Sequence, residues 1–513
     1  MEAIIALDIG TTAAKAALVD RNGQILARAQ SGYRPVWRGA EVEQDATDWW
    51  KAAQACLRSI AQHEPGDVRI VALALSGQMQ DVILMDRRGV LAPVILYSDG
   101  RAQAEADEVL STIGEDQLIP LTGNVQDASG LLAKLLWIKR YRAEWYQQAH
   151  TLLVGAHDYI TAELCGERVT DLTTASTTGL FHLRENRWAV ELLERLNLRT
   201  DWLPRLDSAE VPVGQVRREA AELTGLPEGL PVFHGVGDAA ATTLGAGAGE
   251  EGRWYVYLGT SGWLATSVDA PPADPRAGIF NLRHPDGKRL ILIGPMITAA
   301  GNFEWLVRQF GALESGPSGE ADTHGLLSRM AESAVAGCNG LLYLPYLSGE
   351  RAPFRDSHAR GVFFGLSAST SRAELYRAVL EGVAFAMRTI RDAMPSANRM
   401  DCVNLVGGGA RSGLWPQIFA DVFGCPVQVL AQPEDVGCRG AALLASKALG
   451  WQRDFKPADY FPVERTHLPI VQTQRCYDTL YDVFRGLYPA LKDSFHLLAS
   501  VKCDPAGAGL APE

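Results

Sequence analysis

The stretch Asp8-Ile9-Gly10-Thr11-Thr12-Ala13-Ala14-Lys15 has the composition of a phosphate cradle. Gly10 lets the backbone turn tightly and approach a ligand without a Cβ in the way. Thr11 and Thr12 add hydroxyls, and the free N–H groups of such a turn form a nest for anionic oxygens. Asp8 is either a turn-stabilising carboxylate or a ligand to a divalent cation through water. A related piece recurs at Gly259-Thr260-Ser261, behind the β-rich run Trp254–Leu258. For one copy a hairpin loop rich in turn residues is explanation enough. Two copies favour two similar halves whose turns hold the ends of a polyphosphate across a cleft. Gly407-Gly408-Gly409-Ala410-Arg411-Ser412 is a third glycine-rich piece, between a strand and a helix. It is either a tight helix-start loop or a place where the backbone lies flat on a purine or ribose. It fails the dinucleotide pattern, because Ser412 stands where the final glycine belongs. Asp238 opens a run of very small residues, Ala239-Ala240-Ala241-Thr242-Thr243. It reads equally as an N-cap and as the base that takes a proton from a substrate hydroxyl, with the small residues behind it leaving room for a ligand.

The elements that position these groups alternate between strand and helix. Ile4–Leu7 is a buried strand; Lys15–Val19 and Gln24–Ala29 continue it around Asp20-Arg21-Asn22-Gly23, a hairpin signal. Thus the first glycine turn joins strand to strand, whereas a Walker or dinucleotide turn leads into a helix. Asp45 caps a helix to Ala61, Arg69–Leu75 is a strand ending at Ser76–Asp81, and a β-meander over 82–96 leads to Ser98–Arg101. Leu131–Tyr146 reads as one helix, Pro231–Gly235 as a strand into Asp238, and Ser371 with Glu374 as the capping box of a helix over Ala373–Ala393. The pattern is α/β, in two large domains that meet in the charged, glycine-rich patch Gly245–Arg253. The expected division is 1–249, 250–500 and a disordered tail 501–513.

A net charge of −12 excludes nonspecific attraction to nucleic acid or acidic membranes, so an anionic ligand must be held by amides, hydroxyls and a metal ion. No run is apolar enough to span a bilayer, and Met1-Glu2 leads straight into a strand, which points to a cytoplasmic protein. The eight cysteines are scattered and read as small buried hydrophobes; the ten histidines do not cluster, which argues against a histidine metal site.

Gly361-Val362-Phe363-Phe364-Gly365-Leu366, with Glu374-Leu375 and Ala378-Val379-Leu380-Glu381, resembles the second signature of the FGGY carbohydrate kinases. Pro345–Arg351, Gly407–Ser412 and Ile95–Arg101 resemble its xylulokinase branch, and the likeness runs from about Ile4 to about Leu449. The resemblance implies two ribonuclease-H-like domains of the actin/hexokinase ATPase type around a central cleft. It implies phosphorylation of a sugar hydroxyl by ATP with Mg²⁺, D-xylulose being the first candidate and L-ribulose, another ketose or a polyol the alternatives. From another class, an actin-like ATPase or nucleotide-binding regulator would show no sugar dependence. Asp238 falls on the family's catalytic base. Gly10, Thr11, Thr12 and Lys15 fall on the first phosphate motif, and Gly259, Thr260 and Ser261 on the second. Gly408, Gly409, Ala410 and Ser412 fall on the adenosine motif, and Met79-Gln80 on the sugar contact, which Asp238 shares. The metal falls to Asp8 through water, with Asp238 as a second carboxylate, and the expected assembly is a homodimer. The departures concern the sugar: Gln80 replaces a usual histidine, Ala239 a usual asparagine, and Leu131 a small residue or proline before Lys134. An unmatched buried polar group costs about 1–3 kcal/mol, so these changes bear on which hydroxyls are satisfied.

Overall fold

The computed structural model describes residues 1–62, 68–315, 322–395, 399–455 and 460–501. The expected tail lies outside them from Lys502 onward, as does Cys503.

The apolar run at the start becomes the central strand β1 (Glu2–Ile9), with Ala3 to Leu7 fully buried, as a strand covered on both faces requires. β2 (Ala13–Asp20) and β3 (Ile25–Gly32) continue antiparallel from it. β4 (Arg69–Gly77) lies parallel to β1 on its other side, and β5 (Pro231–Gly237) parallel to β4. The second half repeats this plan. β6 (Arg253–Leu258), β7 (Gly262–Val268) and β8 (Leu290–Met296) are antiparallel, β9 (Cys402–Val406) is parallel to β6, and β10 (Val427–Leu430) parallel to β9. The five core strands of each sheet therefore run third, second, first, fourth, fifth, the ribonuclease-H-like order, once per half, with further strands only at the edges. In both, the glycine turn joins the first two strands, so the repeat seen in the sequence is a repeat of position in the fold.

The halves are joined closely. The helix Val436–Ala448, from the second half, lays Cys438, Ala441, Ala442 and Ala445 on Ile4, Ala6, Ala72 and Ala74 of the first sheet. It also crosses the helix Asp238–Gly245. A Cβ on Gly440 would stand 1.8 Å from the Ala241 oxygen, and one on Gly245 1.7 Å from that of Val436. The small residues after Asp238 thus admit a helix rather than a ligand; Ala240 and Ala241 are fully buried, and Ala239 alone of the alanines opens to the cleft. A second join is the amide pair of Asn124 and Asn281. Asn124 accepts from the Asn281 amide and donates to its carbonyl, each at 2.9 Å.

The Ser371–Glu374 capping box forms as expected on the helix Arg372–Asp392, and Asp45 accepts from the Thr47 amide at the start of Ala46–Gln62. The expected single helix over 131–146 is two, Leu131–Tyr141 and Ala143–Gln148, broken at Arg142 (φ −137°, ψ 48°). The break turns Tyr146 into the core, where its ring meets Trp202 at 4.9 Å. Cys56, Cys338, Cys425 and Cys438 are buried, but Cys476 is exposed, which corrects the reading of all the cysteines as core residues. Among the described residues no helix is long and apolar enough to cross a membrane.

Candidate active site

β5 delivers Asp238 to the cleft. Asp238 is the first residue of its helix, and Gly237 occupies the N-cap with no side-chain bond to the helix. The N-cap reading of Asp238 therefore falls. Burial pushes the Asp238 carboxyl up to about 7, and the Asp8 charge adds to the rise. Asp8 stands at the end of β1, opposite Lys15 on β2 and Ser76 on β4. Burial raises its carboxyl too, against the Ser76 hydroxyl and the Lys15 charge, and its Oδ1 is buried without a hydrogen-bond partner. A Cβ on Gly437 would come within 2.9 Å of Asp8 Oδ2, so the second half closes tightly over this carboxylate. Two half-buried carboxylates, one with an orphaned oxygen, are a donor set that fits a divalent cation and its waters.

Asp238 opens into a cavity of about 280 Å³ lined by both halves. The first half contributes Met79, Gln80, Tyr97, Thr177, Asp238 and Ala239, so the expected sugar contacts and the expected base share one space. Gln80 has φ 65°, a left-handed conformation rare for a residue with a Cβ, and its amide nitrogen donates to the Ser129 oxygen at 3.4 Å. The second half contributes Ser261 and an apolar wall of Trp263, Phe280, Leu282, Ile293 and Pro295. Trp263 is fixed on both its face and its edge. It stacks on Tyr257 with centroids 4.1 Å apart, and its Nε1 donates to the Tyr255 hydroxyl at 2.8 Å.

The first glycine turn reaches the same cleft through Tyr97, whose hydroxyl lies 3.3 Å from Thr11 Oγ1. Within the turn the Gly10 amide donates to the Ala13 oxygen, Thr12 is exposed, and its carbonyl accepts from the Tyr33 amide. In the second turn the Gly259 amide donates to the Ser261 oxygen. Gly259 and Thr260 then line a second cavity, of about 580 Å³, with Gly408, Gly409 and Ser412. Phe303, Trp415 and the His324–Glu304 pair (3.1 Å) complete its walls, an aromatic and polar lining suited to a nucleoside.

The glycine-rich loop differs in detail from its expectation. Gly407 (φ 86°) and Gly409 serve close packing, since a Cβ on either would meet Leu258 at 2.7 Å; Gly408 alone faces open space. Ala410 is fully buried and does not line the cavity; its carbonyl accepts from Arg465. The following helix starts only at Trp415, and the Ser412 hydroxyl accepts from the amides of Leu414 and Trp415. Those amides are thus occupied by a side chain of the loop itself.

Several contributors are positioned by contacts with distant segments. Tyr97 is aimed by its own backbone: its amide donates to Asp81 Oδ1 at 3.1 Å, and Lys134 Nζ donates to the Leu96 oxygen at 2.7 Å. Burial lowers the Lys134 ammonium to about 8, against the pull of the Asp81 charge. Lys134 was visible as part of a signature; its task was not, because it acts on a backbone 38 positions away. The histidines do cluster: His157 and His234, with Asp158, are brought together beneath the Asp238 strand, ring centroids 4.7 Å apart.

Two ribonuclease-H-like lobes around an acid-bearing cleft define the actin/hexokinase class of fold. Residues 3–245 match the N-terminal domain, and residues 254–449 the C-terminal domain, of the FGGY family of carbohydrate kinases. The xylulose kinase of Escherichia coli (strain K12) is 31% identical over 496 residues, 95% of this chain and 99% of that protein. The solved xylulose kinase of Lactobacillus acidophilus superposes with a TM-score of 0.88 at 28% identity, over 97% of this chain and all of that one. A gluconate kinase of the same organism does so equally, with a TM-score of 0.88 and 28% identity over 97% of this chain and 99% of its own. The chain belongs to the FGGY family of carbohydrate kinases, which removes the reading as an actin-like ATPase without a sugar.

Proposed function

We propose that this kinase transfers the γ-phosphoryl group of ATP to a hydroxyl of a neutral ketose, D-xylulose first among them, with L-ribulose or a polyol as the alternatives. The observation that carries the reading is Asp238 in a cavity whose other described lining residues include no Lys, Arg or His. A sugar acid would bring its carboxylate beside Asp238 with no cation to pair it, and an unpaired buried charge is strongly disfavoured. Neutral hydroxyls find partners instead in Gln80, Tyr97 and Thr177, while the Trp263 face suits the C–H side of a sugar.

In this reading Asp238 takes the proton of the attacking hydroxyl, whose oxygen bonds to phosphorus as the β,γ-bridging bond breaks and ADP leaves. Met79 and Gln80 hold the sugar from one side and Trp263 from the other. Gly10, Thr11, Thr12 and Lys15, with Gly259, Thr260 and Ser261, hold the phosphate tail. Gly408, Gly409 and Ser412 receive the adenosine, with Ala410 shaping the loop from beneath. Mg²⁺ neutralises phosphate charge when bound, and Asp8, through water, and Asp238 are the residues to hold it. The domains run 1–249 and 250–500, a division supported by the two sheets, since β5 ends at Gly237 and β6 begins at Arg253. The setting is the cytoplasm, where ATP and free sugars meet.

ADP release measured with D-xylulose, L-ribulose, glycerol and gluconate tests this. A ketose is expected to exceed gluconate in kcat/KM by about 100-fold or more. Gluconate as the best substrate, or ADP release indifferent to sugar, would overturn it. The pH profile is a second test. The base must be ionised, and its carboxyl sits at about 7. So kcat/KM for the sugar should rise about tenfold per unit on the acid side of neutrality and level above it. A profile already flat at pH values near an ordinary carboxylate, about 4, would show that the base is not a carboxyl raised by burial.

A further inference from the structure

We propose that Asp171, held in place by His157, is the positioning residue for Asp238: its carboxylate fixes the backbone amide of Gly237, from which the catalytic residue hangs. The inference rests on the reading of Asp238 as the base.

Asp171 ends the short strand Val169–Asp171 and caps the helix Leu172–Thr177. Its Oδ1 accepts from the amides of Thr173 and Thr174, at 2.8 and 3.1 Å. Its Oδ2 accepts from Thr174 Oγ1 at 2.5 Å, from His157 Nε2 at 2.9 Å and from the Gly237 amide at 3.2 Å. One carboxylate thus ties three segments together: the helix that presents Thr177 to the sugar cavity, the helix that carries His157, and the end of β5. Burial acts to raise the Asp171 carboxyl, but the His157 hydrogen bond and the charges of His157 and His234 hold it below the usual carboxylate range, so it stays an acceptor.

Gly237 needs such an anchor. It has no side chain to lock its torsions, and none is admissible: a Cβ there would stand 2.0 Å from Met79 Sδ and 2.6 Å from Thr174 Oγ1. The helix it precedes has no side-chain N-cap. The hydrogen bond to Asp171 therefore sets where that helix begins, and with it where the Asp238 carboxyl points. His157 is itself confined. It is fully buried, its ring lies against His234, and His234 Nε2 is 3.1 Å from Asp158 Oδ1. Asp158 Oδ2 in turn accepts from the amides of Val154 and Gly155. No member of this network lines the sugar cavity; it reaches the site through the Gly237 backbone, through the helix that ends at Thr177, and through the charges of His157 and Asp171 that Asp238 feels directly.

A displacement of about 1 Å in a reacting group costs on the order of 100-fold in rate, and this sets the scale of the test. Asp171→Asn, His157→Gln and His157→Leu are compared with Thr161→Val, a change in the same cluster that touches His157 and His234 but not Asp171. Asp171→Asn is expected to lower kcat about 30-fold or more with both KM values within about threefold of the parent. Thr161→Val should lower the unfolding temperature comparably and keep kcat. His157→Gln, whose amide retains a donor toward Asp171, should keep most of the turnover that His157→Leu loses. This pair carries the test if Asp171→Asn does not fold. The proposal is overturned if Asp171→Asn turns over like the parent, if Thr161→Val loses as much kcat, or if the two His157 variants behave alike. An active Asp238→Asn enzyme would instead remove the base assignment; an inactive one beside a fully active Asp171→Asn would remove this inference alone.

Discussion

Asp238→Asn is expected to lower sugar-dependent ADP release by about 10²–10⁴-fold while the protein stays folded and binds ATP. The substitution conserves shape, so the loss isolates the proton acceptor. The same variant should also be more stable than the parent near neutral pH and above. Burial and the Asp8 charge hold the Asp238 carboxyl at about 7 in the fold, far above its ordinary 3.8. The folded state therefore keeps a proton that the unfolded chain gives up, and that favours folding only at low pH. As pH rises from about 4 to about 7 the parent loses this contribution, because the unfolded state ionises first. Asn carries no such proton, so the variant's advantage in unfolding temperature should open across that window and hold at higher pH. A variant less stable than the parent at alkaline pH would show that Asp238 has a structural task. Residual turnover near the parent's would show that another group takes the proton. Loss of activity with gain of stability is the pattern of a group placed for reaction rather than for folding.

Gly440→Val should have the largest effect on the fold. Its Cβ would stand 1.8 Å from the Ala241 oxygen, a backbone atom within the Asp238 helix, so neither partner can yield by a side-chain rotation. Overpacking of this kind costs about 1–3 kcal/mol, and more where two helices must separate. The separation would also move Asp238, which stands at the head of the helix pushed aside. Thermal unfolding should show a drop of several degrees, accompanied by lost turnover. Gly408→Ala is the comparison, since its Cβ meets open space. It should unfold with the parent and lose only affinity for nucleotide. Equal unfolding temperatures for Gly440→Val and the parent would mean that the two helices do not cross as described.

The residues that could be read without the fold are those whose meaning is local. The buried run Ile4 to Leu7, the two glycine-threonine turns, and the Ser371–Glu374 capping box each declare themselves within a few positions. Asp238 can be singled out, yet its N-cap reading falls only because the fold puts Gly237 in the capping position. The small residues behind it were visible too, but their purpose depended on Gly440, which stands on a helix from the other half. The apolar wall of the cavity beside Asp238 is hidden for another reason: Phe280, Leu282, Ile293 and Pro295 belong to strands, where such residues pass for ordinary core.

By itself, then, the chain's order of residues determined the α/β class, the duplicated plan and the two glycine-threonine turns, because propensity, periodicity and turn chemistry act over short distances. Only the tertiary structure decided which groups meet. Asp171 and Gly237 lie 66 positions apart, and His157 and His234 come together although nothing near either announces the other. Such contacts depend on how strands from distant segments align in one sheet. That alignment follows from the burial of the whole core rather than from any residue's neighbours along the chain.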